Sequence, residues 1–308
     1  MSRHLALMIT ALVILGAAWG ITQPLSKIAV SEGYRHVGII FWQFALGSVL
    51  LGVIALIRGQ RLPLGRRHVF FYFVIAIIGT LLPNTASYSA AVHLPAGVLS
   101  IFISLVPMMA FVIAMIMGLD RFSTMRLLGL SLGLTAIVLI AAPEAGLPDP
   151  AMVAWLPIAM IAPAFYALES NYVAWNGTVG MDPVQVLLGA SLVGTVLSLP
   201  LAVGMGQWIN PLPPYGAPDY AVIASSFAHA LAYTGYVWLV GQAGPVFAAQ
   251  VSYLVTGFGI LWAKLILGET YSVWVWAALG VMFLGLLLVQ PRPKDALAVS
   301  PALGNDAV

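Results

Sequence analysis

Ten hydrophobic segments, each long enough to cross a bilayer, fill nearly the whole of this 308-residue chain. They fall at 5–30, 37–57, 69–91, 96–118, 123–142, 151–174, 183–203, 219–240, 245–267 and 272–290. A hydrocarbon core of about 30 Å needs about 20 apolar residues in a helix, and every segment is near that length. Only 7% of the residues are charged, 61% are hydrophobic and the mean hydropathy is +1.01. A soluble domain carries about 25% charged residues, so here the bilayer must serve as solvent. The breaks fall where loop chemistry appears, as at Arg58-Gly59-Gln60-Arg61-Leu62-Pro63 and at Pro211-Leu212-Pro213-Pro214.

The charged residues fix an expected orientation. With the N-terminus in the cytoplasm, Arg3, Arg58, Arg61, Arg66, Arg67, Arg121, Arg126, Arg292 and Lys294 all fall inside, and only Arg35 among the loop basics falls outside. That split follows the positive-inside rule. An even number of spans then returns the C-terminus to the cytoplasm. The run from Leu5 to Ile21 is long for a secretory signal and lacks a small-x-small cleavage site, so it reads as a retained first helix. A net charge of +2 without a basic tract argues against nucleic acid as a partner. The chain has no cysteine, which excludes disulfides and thiol chemistry.

The second five segments read as a drifted copy of the first five. At an offset of 147–149 residues Trp19-Gly20-Ile21 falls on Tyr166-Ala167-Leu168, Gly47 on Gly194, Tyr88 on Tyr236 and Ser104 on Ser252. An odd number of spans per copy inverts one copy relative to the other. The expected fold class is therefore an all-α membrane protein, with ten transmembrane helices in two inverted five-helix repeats. The repeats would cover 1–145 and 146–290, with a disordered cytoplasmic tail over 291–308. Inverted repeats of this kind characterise secondary transporters, which bind substrate near the midplane between the repeats.

The chain also resembles the drug/metabolite transporter superfamily, in its EamA-type branch. Ala18-Trp19-Gly20 leading to Lys27 carries the resemblance, as does Leu267-Gly268-Glu269 before a helix with Gly280 and Gly285. Within the branch it is most similar to the bacterial aromatic amino-acid exporters, with Asp120 standing where the first half usually has glutamate. The resemblance implies a cavity lined by the third, fourth, eighth and ninth helices. The first and sixth would be mobile partners, and the fifth and tenth peripheral.

Polar side chains inside a membrane helix cost free energy and usually face a cavity or a neighbouring helix. On the eighth helix His229, Tyr233 and Tyr236 share one face at i, i+4, i+7. The ninth offers Gln250, Tyr253 and Lys264, and the third offers Asn84, Ser87 and Tyr88 just past Pro83. Each of these stripes is open to two readings, cavity lining or helix–helix hydrogen bonding. Trp19 sits mid-helix and could stack on a planar substrate. Glu169, the one acid deep in the sixth helix, shares a face with Tyr166 and Tyr172. It could carry a proton or meet a cation, or be a wet or paired residue near a helix end. Lys264 could meet a substrate carboxylate, snorkel to the surface or pair with Glu269. Gly129 and Gly133 would let two helices approach closely, within the chain or between copies.

Catalytic patterns are missing. There is no HExxH, no histidine pair at ligand spacing, no phosphate loop and no nucleophile elbow. The expectation is a secondary transporter of a bacterial inner membrane, without metal or cofactor, that exports small metabolites by alternating access. Aromatic and other apolar amino acids are the expected substrates. Trp19, Asn84, Tyr88, Tyr166, His229, Tyr233, Tyr236, Gln250 and Tyr253 would bind them, with Glu169 and Lys264 as coupling or charge sites. A monomer and a homodimer are both open. A drug or cation carrier and a sugar-phosphate or nucleotide-sugar carrier are the alternatives within the superfamily. The alternative from another class is a membrane-embedded enzyme, or a photoreceptor with a Schiff base at Lys264.

Overall fold

Prolines decide where these helices break. The computed structural model describes residues 3–141, 147–243 and 251–288, and every regular element in them is helical. Helix α1 (Arg3–Gly20) ends four residues before Pro24, and α2 (Thr22–Ser31) resumes the same span. A proline lacks the N–H that would bond to the carbonyl four residues back, and its ring crowds that carbonyl. The carbonyl freed here belongs to Gly20, and the Thr22 hydroxyl caps the neighbouring Trp19 carbonyl at 2.6 Å. The pattern recurs twice. Pro83 converts Ile77–Leu81 into a π-turn between α4 (Arg66–Ala76) and α5 (Leu82–His93). Pro107 separates α6 (Ala96–Ile103) from α7 (Val106–Ile116).

The remaining elements are α3 (His36–Ile57), α8 (Thr124–Ala141), α9 (Leu156–Asn176), α10 (Pro183–Gly204), α11 (Ala217–Ala243), α12 (Val251–Leu267) and α13 (Val273–Leu288). A two-turn 3-10 segment, Pro150–Trp155, leads into α9. Asp182 and Gln185 form a capping box at the start of α10. Among the described residues six helical stretches are long and apolar enough to cross a membrane: Ala6–Ser31, His36–Ile57, Arg66–His93, Ala96–Ile116, Pro150–Asn176 and Pro183–Gly204. Thr124–Ile140, Val251–Leu267 and Val273–Leu288 are shorter apolar helices that adjoin residues outside the described set. Large aliphatic side chains such as Val49, Leu56, Ile116, Val196 and Leu265 stand exposed on the outer faces. Only lipid can cover such a surface, and the chain is a multi-pass membrane protein.

Small residues set the closest helix contacts. A Cβ at Gly20 would meet the Gly259 nitrogen at 2.8 Å, which draws α1 against α12. Helix α6 lies on α12 through Ser100 against Gly259 and a short hydrogen bond between Ser104 and Thr256. Helices α8 and α13 pack on each other and reach the rest chiefly through α6 and α7. In that pair Gly133 faces Met108 and the Gly129 carbonyl lies against Gly285. The two glycines of the GxxxG pattern are thus used inside the chain.

Candidate functional site

The breaks in α1/α2 and α4/α5 open a polar cavity where five spans cross. It is lined by Thr22, Gln23 and Ser26 of α2, Gln43 of α3, Asn84, Ser87 and Tyr88 of α5, Tyr166 of α9, and Ser225 and His229 of α11. Its free volume is about 40 Å³, room for on the order of three waters and no more. Among the described residues no acid, lysine or arginine lines it.

A hydrogen-bond relay crosses the cavity wall. The Tyr166 hydroxyl donates to Asn84 Oδ1 at 2.6 Å, and Asn84 Nδ2 donates to Gln43 Oε1 at 2.9 Å. The Tyr88 hydroxyl donates to the same Gln43 oxygen at 2.7 Å. Gln43 and Asn84 are only 9% and 5% exposed, so these bonds satisfy groups that would otherwise be costly to bury. On the other side Trp19 Nε1 donates to His229 Nδ1 at 3.2 Å. That bond requires Nδ1 to be unprotonated and leaves Nε2 to carry the ring proton.

An aromatic wall continues from His229 along α11. The Trp19 ring lies 5.7 Å from Tyr233 and 5.6 Å from Tyr236, and the two tyrosines are near-parallel at 6.5 Å. Glu169 lies one turn beyond Tyr166 on α9, within electrostatic reach of Tyr166 and Tyr233. Its carboxylate rests over Gly79 in the π-turn, where any Cβ would collide with it.

Seven of the residues expected from sequence therefore gather here: Trp19, Asn84, Tyr88, Tyr166, His229, Tyr233 and Tyr236. Others do not. Tyr253 packs on Phe283 at 6.2 Å and is absent from the cavity lining. Lys264 is exposed on the outside of α12. It does not meet Glu269, which bonds elsewhere. Gln250 and the 291–308 tail lie outside the described residues. The fourth and ninth helices contribute no described residue to this lining; Gly259, Ser100, Ser104 and Thr256 bring α6 and α12 into direct contact. Gln43 was missed altogether. It is the one glutamine in an otherwise apolar α3, and that isolation was the available signal.

One end of the bundle is tied by part-buried polar contacts. The Glu269 carboxylate accepts from the Ala96 and Gly97 amides at 2.8 and 3.1 Å, capping the N-terminus of α6, where the helix dipole favours an anion. The Tyr271 hydroxyl donates to Glu269 at 2.6 Å. Burial and then the Glu269 carboxylate push the Tyr271 phenol upward. Lys27 Nζ donates to the Ala91 and Val92 carbonyls at 2.7 and 3.2 Å, at the C-terminal end of α5. Nearby the Tyr34 hydroxyl donates to Asp219 at 2.6 Å. Burial first and that carboxylate second raise its pKa to about 12.

A small polar chamber among apolar helices, two of which break beside it, is the build of a membrane carrier. Comparison with known proteins agrees. The chain belongs to the EamA-like transporter family, whose sequence profile matches residues 6–142 and again 153–290. It is 23% identical to the uncharacterized inner membrane transporter YedA of Escherichia coli, over 93% of this chain and 92% of that one. It is 25% identical to the uncharacterized transporter YvbV of Bacillus subtilis, over 98% and 96%. It is 23% identical to a probable terminal-alkyne amino-acid exporter of Streptantibioticus cattleyicolor, over 92% and 93%. A solved crystal structure shares the fold with a TM-score of 0.63 at 18% identity, covering 91% of this chain and 96% of that one.

Proposed function

We propose that this transporter exports amino acids with aromatic and other apolar side chains across a bacterial inner membrane by alternating access. The observation that carries the reading is the pairing of an uncharged polar cavity with an aromatic wall. A zwitterion needs hydrogen-bond partners for its head and no net countercharge, and Trp19, Tyr233 and Tyr236 offer ring faces for an apolar side chain. A sugar phosphate would need cations in the cavity. None lines it, and Lys27 is engaged with helix-end carbonyls. The likeness to an amino-acid exporter points the same way.

In this reading residues 1–145 and 146–290 are inverted halves that rock about the cavity, and both termini are cytoplasmic. The Lys27 and Glu269 contacts then close the external side. Glu169 is the candidate coupling group, an acid beside the aromatic wall with only a glycine opposite. Counterflow in proteoliposomes loaded with individual amino acids or sugar phosphates tests the substrate class. Exchange of phenylalanine and its apolar relatives, with sugar phosphates inert, is expected. The converse result rejects the reading. Glu169→Gln should abolish accumulation driven by a pH gradient and leave counterflow intact, because exchange moves no net proton. Full accumulation in that variant removes Glu169 from coupling.

A further inference from the structure

We infer that Gln43 is a specificity-determining residue of the cavity, its amide N–H groups holding a carboxylate of the substrate. The inference rests on the transporter reading and adds the orientation of the bound head group. It follows from following the protons. The relay runs in one direction, from the Tyr166 hydroxyl to Asn84 Oδ1 and from Asn84 Nδ2 to Gln43 Oε1. Tyr88 donates to that same oxygen, so both Gln43 Oε1 lone pairs are occupied. The orientation of the amide is set by these bonds. Its Nε2 is left with two N–H groups and no protein acceptor among the described residues, in a side chain that is buried yet lines the cavity.

His229 supplies a second donor. Its Nδ1 is taken by Trp19, so Nε2 bears the proton. Three lining hydroxyls behave in the opposite way. Thr22, Ser26 and Ser225 donate to the carbonyls of Trp19, Thr22 and Val222 at 2.6, 2.7 and 3.1 Å, which leaves them lone pairs to offer. Donors at Gln43 and His229 suit a carboxylate, and the hydroxyl oxygens suit an ammonium. A neutral lining can thereby hold a zwitterion in one orientation.

The test uses ligand-induced thermal stabilisation of the purified full-length protein with three probes: phenylalanine, 3-phenylpropionate, which lacks the ammonium, and phenethylamine, which lacks the carboxylate. Gln43→Glu keeps an oxygen that accepts from Asn84 and Tyr88 and puts an acceptor oxygen where the free donor stood. Burying that carboxylate should lower the unliganded melting temperature, so binding is read as the shift from each variant's own unliganded value. Affinity for phenylalanine and 3-phenylpropionate should fall about tenfold to a hundredfold, the worth of a hydrogen bond to a charged group. Phenethylamine should bind at least as well as before. Gln43→Met, which adds no charge but also frees the Asn84 and Tyr88 donors at some cost in stability, should still weaken the two acids relative to phenethylamine, and it carries the test if the acidic variant does not fold. Unchanged binding of 3-phenylpropionate in both variants overturns the inference and leaves the transporter reading standing. So does equal weakening of all three probes. A wild-type protein that binds neither acid overturns the amino-acid reading itself, and this inference with it.

Discussion

Gly79 and Glu169 are a matched pair, and neither explains itself alone. Pro83 disrupts the helix at residue 79, the π-turn opens there, and the missing side chain leaves a berth for a carboxylate from α9. A methyl at Gly79 would meet only the far end of the Glu169 side chain, which can swing aside. Gly79→Ala should therefore leave the melting temperature nearly unchanged while displacing the carboxylate, so that accumulation driven by a pH gradient falls. A lower melting temperature that a Gly79→Ala, Glu169→Ala double variant does not restore would show that the glycine serves the backbone and not the carboxylate. Trp19 makes the other residue-scale prediction. Replacing it by alanine removes the donor to His229 and one face of the aromatic wall. Transport of phenylalanine should fall severalfold more than that of alanine, since an aromatic contact is worth about 0.5–1.5 kcal/mol beyond burial. Equal loss for both substrates would assign Trp19 to packing.

At the scale of elements, the contacts between segment ends carry the ionisable groups. Tyr34 links the α2–α3 connection to Asp219 in the first turn of α11. Its folded pKa of about 12 lies above the ordinary tyrosine value of 10.0. The raised value means that the contact contributes stability below pH about 10 and loses it as pH climbs toward 12. Melting temperature measured across that window should drop more steeply in the wild type than in Tyr34→Phe, and parallel curves would contradict the assignment. Element boundaries were only partly legible in the sequence. Six span positions followed from hydropathy because the bilayer imposes a length on each apolar run. The break after Ile103 escaped notice, although Pro107 was there to announce it, because hydropathy runs through a proline without interruption. Helical periodicity found the His229–Tyr233–Tyr236 stripe, since those residues share one helix. It could not find Gln43, whose role depends on partners 41 and 45 residues away. It also placed Lys264 with the cavity residues, and which face of α12 is buried is decided by Gly259 and Thr256, not by the lysine.

For the whole molecule, the account predicts one topology and one shared site. Single cysteines can be introduced cleanly because the native chain has none. Cysteines replacing Gly65 and Ala298 should resist impermeant reagents in intact cells, while one replacing Gly206 should react. Labelling of the first two without permeabilisation would invert the orientation. The central claim is that the chamber among α2, α3, α5, α9 and α11 is where the head group of the substrate binds. Ser87 lines that chamber and takes no part in the relay, so Ser87→Cys is the most direct probe of it. A small thiol reagent should modify this variant in proteoliposomes, and saturating phenylalanine should slow the modification at least severalfold. Modification at the same rate with and without phenylalanine would place the binding site elsewhere and contradict the account.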